Sequence, residues 1–323
     1  MAESNTFATT NLGSAVSNVE QLARGAYLTS PSNSPFYSNT SKSKAKSILA
    51  EWTTDDYEDI DDVAVSEGAD YTAFDDAFEE QARVGNYITT RQVAFKVSNL
   101  QELVENAAGV NFAGAMKKKM VVLNMKTEKA LLSQTAKSAS GSTYNAAGLA
   151  EQLSGASALF PAAYQTPAAQ VVSATAATEA NVDTVLRSLF DGTGNKGNFR
   201  IYGGSAWIDQ FSKNTMRLTS TNDNRTSINL NGEKGVIKNK VRIYEGQYGT
   251  VEVFDLNSKT LFDETNKDMA YFIDPSMVEI QELGGLDVKR LPDLGGGPRA
   301  GIRRHFSCCV KNPRNHAFWN ALA

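Results

Sequence analysis

A strand-like period of two runs from Ile48 to Thr54. Ile48, Ala50, Trp52 and Thr54 fall on one side, and Leu49, Glu51 and Thr53 on the other. That is the period of a strand. The same period returns in NYITTRQVAFKVS, where Tyr87, Thr89, Arg91, Val93, Phe95 and Val97 share a face. The two runs predict the arms of a long hairpin with residues 51–80 at its far end. After them the period changes. Leu100, Leu103, Val104, Ala107, Val110, Ala113, Met116, Met120 and Leu123 recur at three- and four-residue steps, the spacing of an amphipathic helix. Ser98 or Asn99 with Gln101 or Glu102 supplies a capping box. Run on to Leu131 or Leu132, the helix has about 30 residues and spans about 45 Å. On this reading Leu103 faces the core, and an Asp there would prevent folding.

Residues 1–46 are rich in Ser, Asn, Thr and Ala and read as an extended arm. Residues 133–177, poor in charge, read mostly as loop. TEANVDTVLRSLF predicts a helix capped by Thr178 with Val182, Val185, Leu186 and Leu189 inward. A strand at 198–202 and a short helix SAWIDQF capped by Ser205 follow. RLTSTNDNRTSINLNGEKG is a polar loop of the kind found at exposed tips. Further strands are expected at KVRIYEG, GTVEVF, MAYFID, MVEIQEL and HFSCCVK, and no internal repeat is visible. The fold class is α+β, in a chain of a length for about two domains.

Charge changes this picture more than composition does. The 323 residues carry a net −4, with 41% apolar and 21% charged residues, as in a globular protein. Residues 51–80 hold thirteen carboxylates and no Lys or Arg, so the rest of the chain is +9. Such a division bears on association rather than on fold. A metal site, a disordered acidic tract, or an arm meeting basic surface on another subunit are the three readings. Its position between two strands and its aromatics, Trp52, Tyr57, Tyr71, Phe74 and Phe78, argue against simple disorder. The first residues lack the basic start and apolar core of a signal peptide, and no apolar run approaches the ~18 residues of a membrane span. The only cysteines, Cys308 and Cys309, are adjacent and read as reduced thiols of a chain made in the cytoplasm.

Catalytic and cofactor chemistry finds little support. GTGNKG at 192–197 fits G-x-G-x-x-G but follows a helix and precedes a strand, the reverse of dinucleotide-binding order. GGSAW is not a nucleophile elbow, and no His–Asp partnership lies near it. His305, Cys308 and Cys309 have metal-ligand types, but neighbouring strand residues face opposite sides, so one site cannot easily use both thiols. The acidic run lacks calcium-loop spacing. Lys117, Lys118 and Lys119 form a basic cluster on the long helix, either a solvated face or a non-specific phosphate contact. No enzyme activity and no cofactor are expected.

With arm, hairpin, long helix and mixed domain in order, the sequence resembles the major capsid proteins of tailed bacteriophages. The resemblance rests on Ser34-Pro35-Phe36, Glu51-Trp52-Thr53-Thr54-Asp55, Glu67-Gly68-Ala69 and Arg83-Val84-Gly85-Asn86-Tyr87. It continues through Val241-Arg242-Ile243-Tyr244-Glu245, Tyr248-Gly249-Thr250-Val251-Glu252-Val253, Asp274-Pro275, Asn312 and Asn315-His316-Ala317, and so spans residues 30–318. It implies the Hong Kong 97-type fold: an N-terminal arm (1–46), an E-loop hairpin (47–97) and a P-domain with spine helix (98–175). An A-domain (176–268) and return strands of the P-domain (269–323) complete it.

The implied function is self-assembly into pentamers and hexamers of an icosahedral head enclosing double-stranded DNA. Trp52, Asp55, Asp56, Tyr57, Asp59, Asp61, Asp62, Tyr71 and Phe74 of the E-loop would touch a neighbour, and Lys117, Lys118 and Lys119 would face DNA. A non-viral compartment shell of the same fold is the alternative. Some relatives weld neighbours through an E-loop lysine, but no Lys occurs from Trp52 to Phe95. About 47 residues before the hairpin leave no room for the roughly hundred-residue built-in scaffolding domain that some relatives carry. A separate scaffolding protein, a portal and a possible cement protein are therefore the expected partners, with no membrane, in a virion assembled in the host cytoplasm.

Overall fold

The computed structural model describes residues 34–57, 64–70, 81–104, 111–193, 197–215, 230–231, 236–237, 242–256 and 267–323. Pro35 opens helix α1 (Pro35–Asn39), where its missing N–H is no loss. Strands β1 (Ser41–Lys44), β2 (Leu49–Thr54), β3 (Ala82–Tyr87) and β4 (Thr89–Lys96) follow. β2 and β3 form the base of the expected hairpin, paired antiparallel from Leu49 with Tyr87 to Thr54 with Ala82. Ala50 and Thr54 are buried and Trp52 half-buried, as the alternation requires. The run expected as one strand from Tyr87 to Val97 is two. Buried Ile88 donates its N–H to the Ile48 carbonyl at the corner, and β4 leaves for a different sheet.

The expected single long helix is also two. Ser98 caps α2 (Asn99–Leu103) by accepting the Gln101 N–H, and Val104 ends it in extended conformation. Asn111 then caps α3 (Phe112–Leu131) by accepting the Gly114 N–H at 2.8 Å. Ala107 and Val110 lie outside the described residues. Leu100 and Leu103, expected inward, are 73% and 83% exposed. An apolar i, i+3 spacing records only that two residues share a face, and here that face meets no other described element. Leu103→Asp should therefore shift unfolding stability by less than about 0.5 kcal/mol, checked by chemical denaturation.

The second half begins with β5 (Ser138–Ser140), β6 (Thr143–Asn145), α4 (Leu149–Gln152) and β7 (Val171–Val172). It continues through α5 (Glu179–Thr193), β8 (Asn198–Gly203), α6 (Ser205–Thr215), β9 (Leu230–Asn231), β10 (Val236–Ile237), β11 (Ile243–Gly246) and β12 (Gly249–Asp255). β13 (Ala270–Ile273), β14 (Val278–Leu291), β15 (Arg299–Val310) and β16 (Ala317–Trp319) close it. Thr178 caps α5 as expected, accepting the Asn181 N–H, whereas Ser205 is the first residue of α6 rather than its cap. Most of the polar loop at 217–235 lies outside the described residues; β9 and β10 pair there antiparallel.

Two sheets organise the molecule. One has strand order β1-β14-β15-β4, with α3 across one face; the other has order β11-β12-β8-β13-β16-β7. The second takes β7, β13 and β16 from outside 176–268, so it is not built from one stretch of sequence. Its central strand alternates between two cores. Ala270 and Phe272 of β13 join Val182, Leu186, Trp207, Phe211 and Trp319 under α5 and α6. Tyr271 and Ile273 join Phe36, Leu131, Leu149 and Phe306 on the other side. A strand covered on both faces reads as an uninterrupted apolar run, which MAYFID is. In β14 the register slips between Glu282 and Leu286. Gly284 and Gly285 occupy the bulge at φ +75° and +71°, where any Cβ would be strained.

His316 is fully buried, and its Nδ1 accepts the Asp274 N–H at 3.1 Å, so the neutral ring carries its proton on Nε2. Burial pushes its pKa down to about 4. Between pH 6.5 and 4 the unfolded chain therefore binds a proton that the folded one refuses, and stability falls as pH drops. The loss is on the order of 3 kcal/mol. Denaturant titrations of wild type and His316→Gln should diverge in this sense across that window; parallel pH profiles would contradict it.

Candidate inter-subunit surface

The acidic hairpin is anchored at its base. Trp52 packs edge-on against Phe160 with ring centroids 6.4 Å apart, so this ring is partly buried against its own chain. Arg83 pairs with Glu51 across the hairpin. Asp55 accepts from Gln81 Nε2 at 3.0 Å, and Asp56 pairs with Arg314 at 2.7 Å. From Tyr57, 95% exposed, the described finger meets solvent. Residues 64–70, which include Glu67 and Asp70, are all exposed and turn at Gly68. Asp59, Asp61, Asp62, Tyr71 and Phe74 lie outside the described residues.

A surface of opposite sign stands on the four-stranded sheet. Directly opposed residues of an antiparallel pair share a face. Val93, Phe95, Ala300 and Ile302 turn toward α3 with Leu123. Their neighbours in register put Thr90, Gln92, Ala94 and Lys96 beside His305, Arg303, Gly301 and Arg299 on the other face, with Lys289 and Asp287 of β14 next in line. Gln92, Ala94, Lys96, Lys289 and Arg303 are exposed. Lys96, Lys289 and Arg303 are the exposed cations of this face; Lys289 approaches Asp287 at 3.6 Å, Lys96 acts on the Asp293 carboxyl, and half-buried Arg299 donates to the Pro292 carbonyl. Ala94 and Gly301 keep the middle of the face low. Its outer end is fixed by Asp293, whose Oδ1 accepts the N–H groups of Gly295, Gly296 and Gly297. Those bonds hold its carboxyl below the usual range, with Lys96 adding to the effect. Lys117 and Lys118 are exposed on α3 and Lys119 is half-buried.

Several residues of the quoted motifs are internal locks that sequence periodicity missed. Asn86 is fully buried; its Nδ2 donates to the Ala147 and Cys308 carbonyls, and its Oδ1 accepts the Ala147 N–H. This clamps the hairpin base to β15. The Ser34-Pro35-Phe36 stretch buries Phe36 edge-on to Tyr202 at 5.3 Å. Glu128, fully buried on α3, accepts the Phe36 and Tyr37 N–H groups at 2.9 and 2.7 Å. An isolated buried Glu within an apolar helix face was the available signal. Cys308 and Cys309 are free and buried, with thiols pushed up in pKa by burial. Among the described residues no group of His, Cys, Asp and Glu could hold a metal, and no helix is long and apolar enough to cross a membrane.

The same architecture recurs in solved capsid structures. The capsid of a native GTA particle superposes with a TM-score of 0.63 at 11% identity, covering 98% of this chain and 99% of that one. The capsid of Cyanophage P-SCSP1u gives 0.63 at 10% identity over 97% and 95% of the two chains. That of Mycobacterium phage Che8 gives 0.60 at 12% identity over 97% and 98%. The fold is therefore the Hong Kong 97-type capsid fold, the class of protein that the sequence resembles. Comparison with curated protein sequences returns no match. A profile of the SU10 major capsid protein family matches residues 3–323, and the chain belongs to that family.

Proposed function

We propose that the protein tiles a closed icosahedral head from pentamers and hexamers, and that the acidic E-loop finger of one copy docks on the basic sheet face of the next. The observation that supports this reading is that one chain presents exposed acidic residues in the described part of the finger, 55–57 and 64–70, and an exposed basic face bearing Lys96, Lys289 and Arg303, with Arg299 half-buried beside them. Attraction between them steers encounter, while apolar and aromatic side chains of the finger supply buried contact. Head-to-tail contacts of this heterologous kind close identical subunits into rings. On this reading 1–46 is the arm, 47–97 the E-loop, 98–175 with 269–323 the P-domain, and 176–268 the A-domain.

The head would enclose double-stranded DNA, with Lys117, Lys118 and Lys119 as non-specific phosphate contacts. It would assemble in the host cytoplasm with a separate scaffolding protein, a portal and, where present, a cement protein. The likeness to the capsid of a GTA particle supports a second reading, in which the same shell belongs to such a particle. Sedimentation of purified protein tests the shared claim. Assembly should weaken as salt rises from about 0.1 M to about 1 M, where the Debye length falls from ~10 to ~3 Å. Assembly indifferent to salt would remove the electrostatic contact.

A further inference from the structure

The segment Ser34–Lys44 joins the body by an arrangement that the shell-forming reading does not use. Its helix α1 ends two backbone N–H groups on one carboxylate, that of Glu128. Around that contact, Tyr37 donates its hydroxyl to Glu282 Oε1 at 2.7 Å. Lys42 Nζ and the Arg304 guanidinium lie 3.8 and 4.6 Å from the Tyr37 ring centroid. β1 adds itself in parallel to the edge of β14 from Ser41 to Lys44, and Arg200 Nη1 donates to the Asn39 carbonyl. The docked segment thus lies against Glu128, which is fully buried, and no cation comes within ion-pair distance of it among the described residues.

We propose that docking of Ser34–Lys44 takes up one proton from solvent on the Glu128 carboxyl, so that this segment is a proton-sensitive clasp on the spine helix. The charged and titratable groups around it come from six elements. They are Lys126 and Lys129 on α3, Tyr37 on α1, Lys42 on β1, Arg200 and Tyr202 on β8, Glu282 on β14 and Arg304 on β15. None of the cations among them pairs with Glu128. Burial pushes the Glu128 carboxyl up to about 7 while the two N–H bonds pull it down, and burial is the larger effect. With the segment undocked the carboxyl meets water and returns toward its ordinary 4.5. A group whose value is raised in the docked state favours docking fully below its undocked value and loses that contribution as pH rises through the docked one. The clasp therefore tightens in acid and loosens toward and above neutrality. The inference concerns one subunit and stands whether or not the acidic finger docks on a neighbour.

Amide hydrogen exchange of the full chain, followed by mass spectrometry on the peptide covering 34–44 and corrected for the intrinsic chemical rate, tests it. Between pH 5.5 and 8 the opening equilibrium of this peptide should rise roughly 30-fold, while the peptide containing Ala270–Ile273 reports any global change. Glu128→Gln should abolish the pH dependence. Tyr37→Phe should raise opening at every pH and keep the slope. A pH-independent wild-type peptide, a Glu128→Gln variant with the wild-type slope, or loss of the slope in Tyr37→Phe would each overturn the proposal. Should Glu128→Gln fail to fold, the wild-type and Tyr37→Phe profiles decide alone.

Discussion

Changing Asp55, Asp56 and Asp59 together to Lys is expected to stop particle formation and leave a folded, soluble subunit. The change moves the finger six charge units toward the sign of the face on which it is proposed to dock. Like charges brought together at a contact cost several kcal/mol. Within its own chain the cost is small. The Asp56–Arg314 pair is partly exposed on both sides and contributes under about 1 kcal/mol, and Asp55 accepts a hydrogen bond from the exposed Gln81. Sedimentation reads assembly, and circular dichroism reads the fold. Lys96, Lys289 and Arg303 changed together to Glu should give the same block, and the two triple changes combined should restore part of the assembly. Particles at wild-type yield from either triple change would refute the docking contact.

Trp207→Ala is expected to have the largest effect on the subunit itself. Trp207 is fully buried, 5.1 Å from Phe211 and 5.8 Å from both Phe272 and Trp319, centroid to centroid. It fills the space between α6 and the six-stranded sheet, which cannot collapse because α5 braces the same core through Val182 and Leu186. Truncation there removes transfer energy and leaves a cavity, about 3–5 kcal/mol. For a domain of ordinary marginal stability that is a large fraction of the total. A thermal melt of the variant should fall by many degrees or lose its cooperative transition; an unchanged melt would contradict the packing described.

What periodicity could reveal was what a single element decides for itself. The alternation at 50–54 and the inward Val182, Val185, Leu186 and Leu189 report faces that one neighbour covers, and the apolar run from Met269 to Ile273 reports a strand covered on both. Where the outcome depended on two distant stretches, the pattern misled or was mute. The corner at Ile88 is where the buried parity changes, from Val84 and Asn86 in β3 to Thr89, Val93 and Phe95 in β4, so a period of two read straight through from Tyr87 to Val97 joins two different faces. Leu100 and Leu103 have helical spacing but no described partner, so spacing alone placed them inward. Asn86 and Glu128 act through backbone groups 61 and 91–92 residues away, a relation invisible to any local window. Of the surface, the acidic finger was legible as charge, whereas the basic face proposed to receive it required the register that places Lys96, Arg299, Arg303 and Lys289 together.

Zero-length carbodiimide coupling reads the contact itself, since it joins a carboxylate to a lysine only when the two touch. Assemblies made from a mixture of isotopically light and heavy subunits should yield cross-linked peptides of mixed mass that join Lys96 or Lys289 to carboxylates of residues 51–80. Only single-isotope pairs, with each finger linked to lysines of its own chain, would contradict the reach from one subunit to the next.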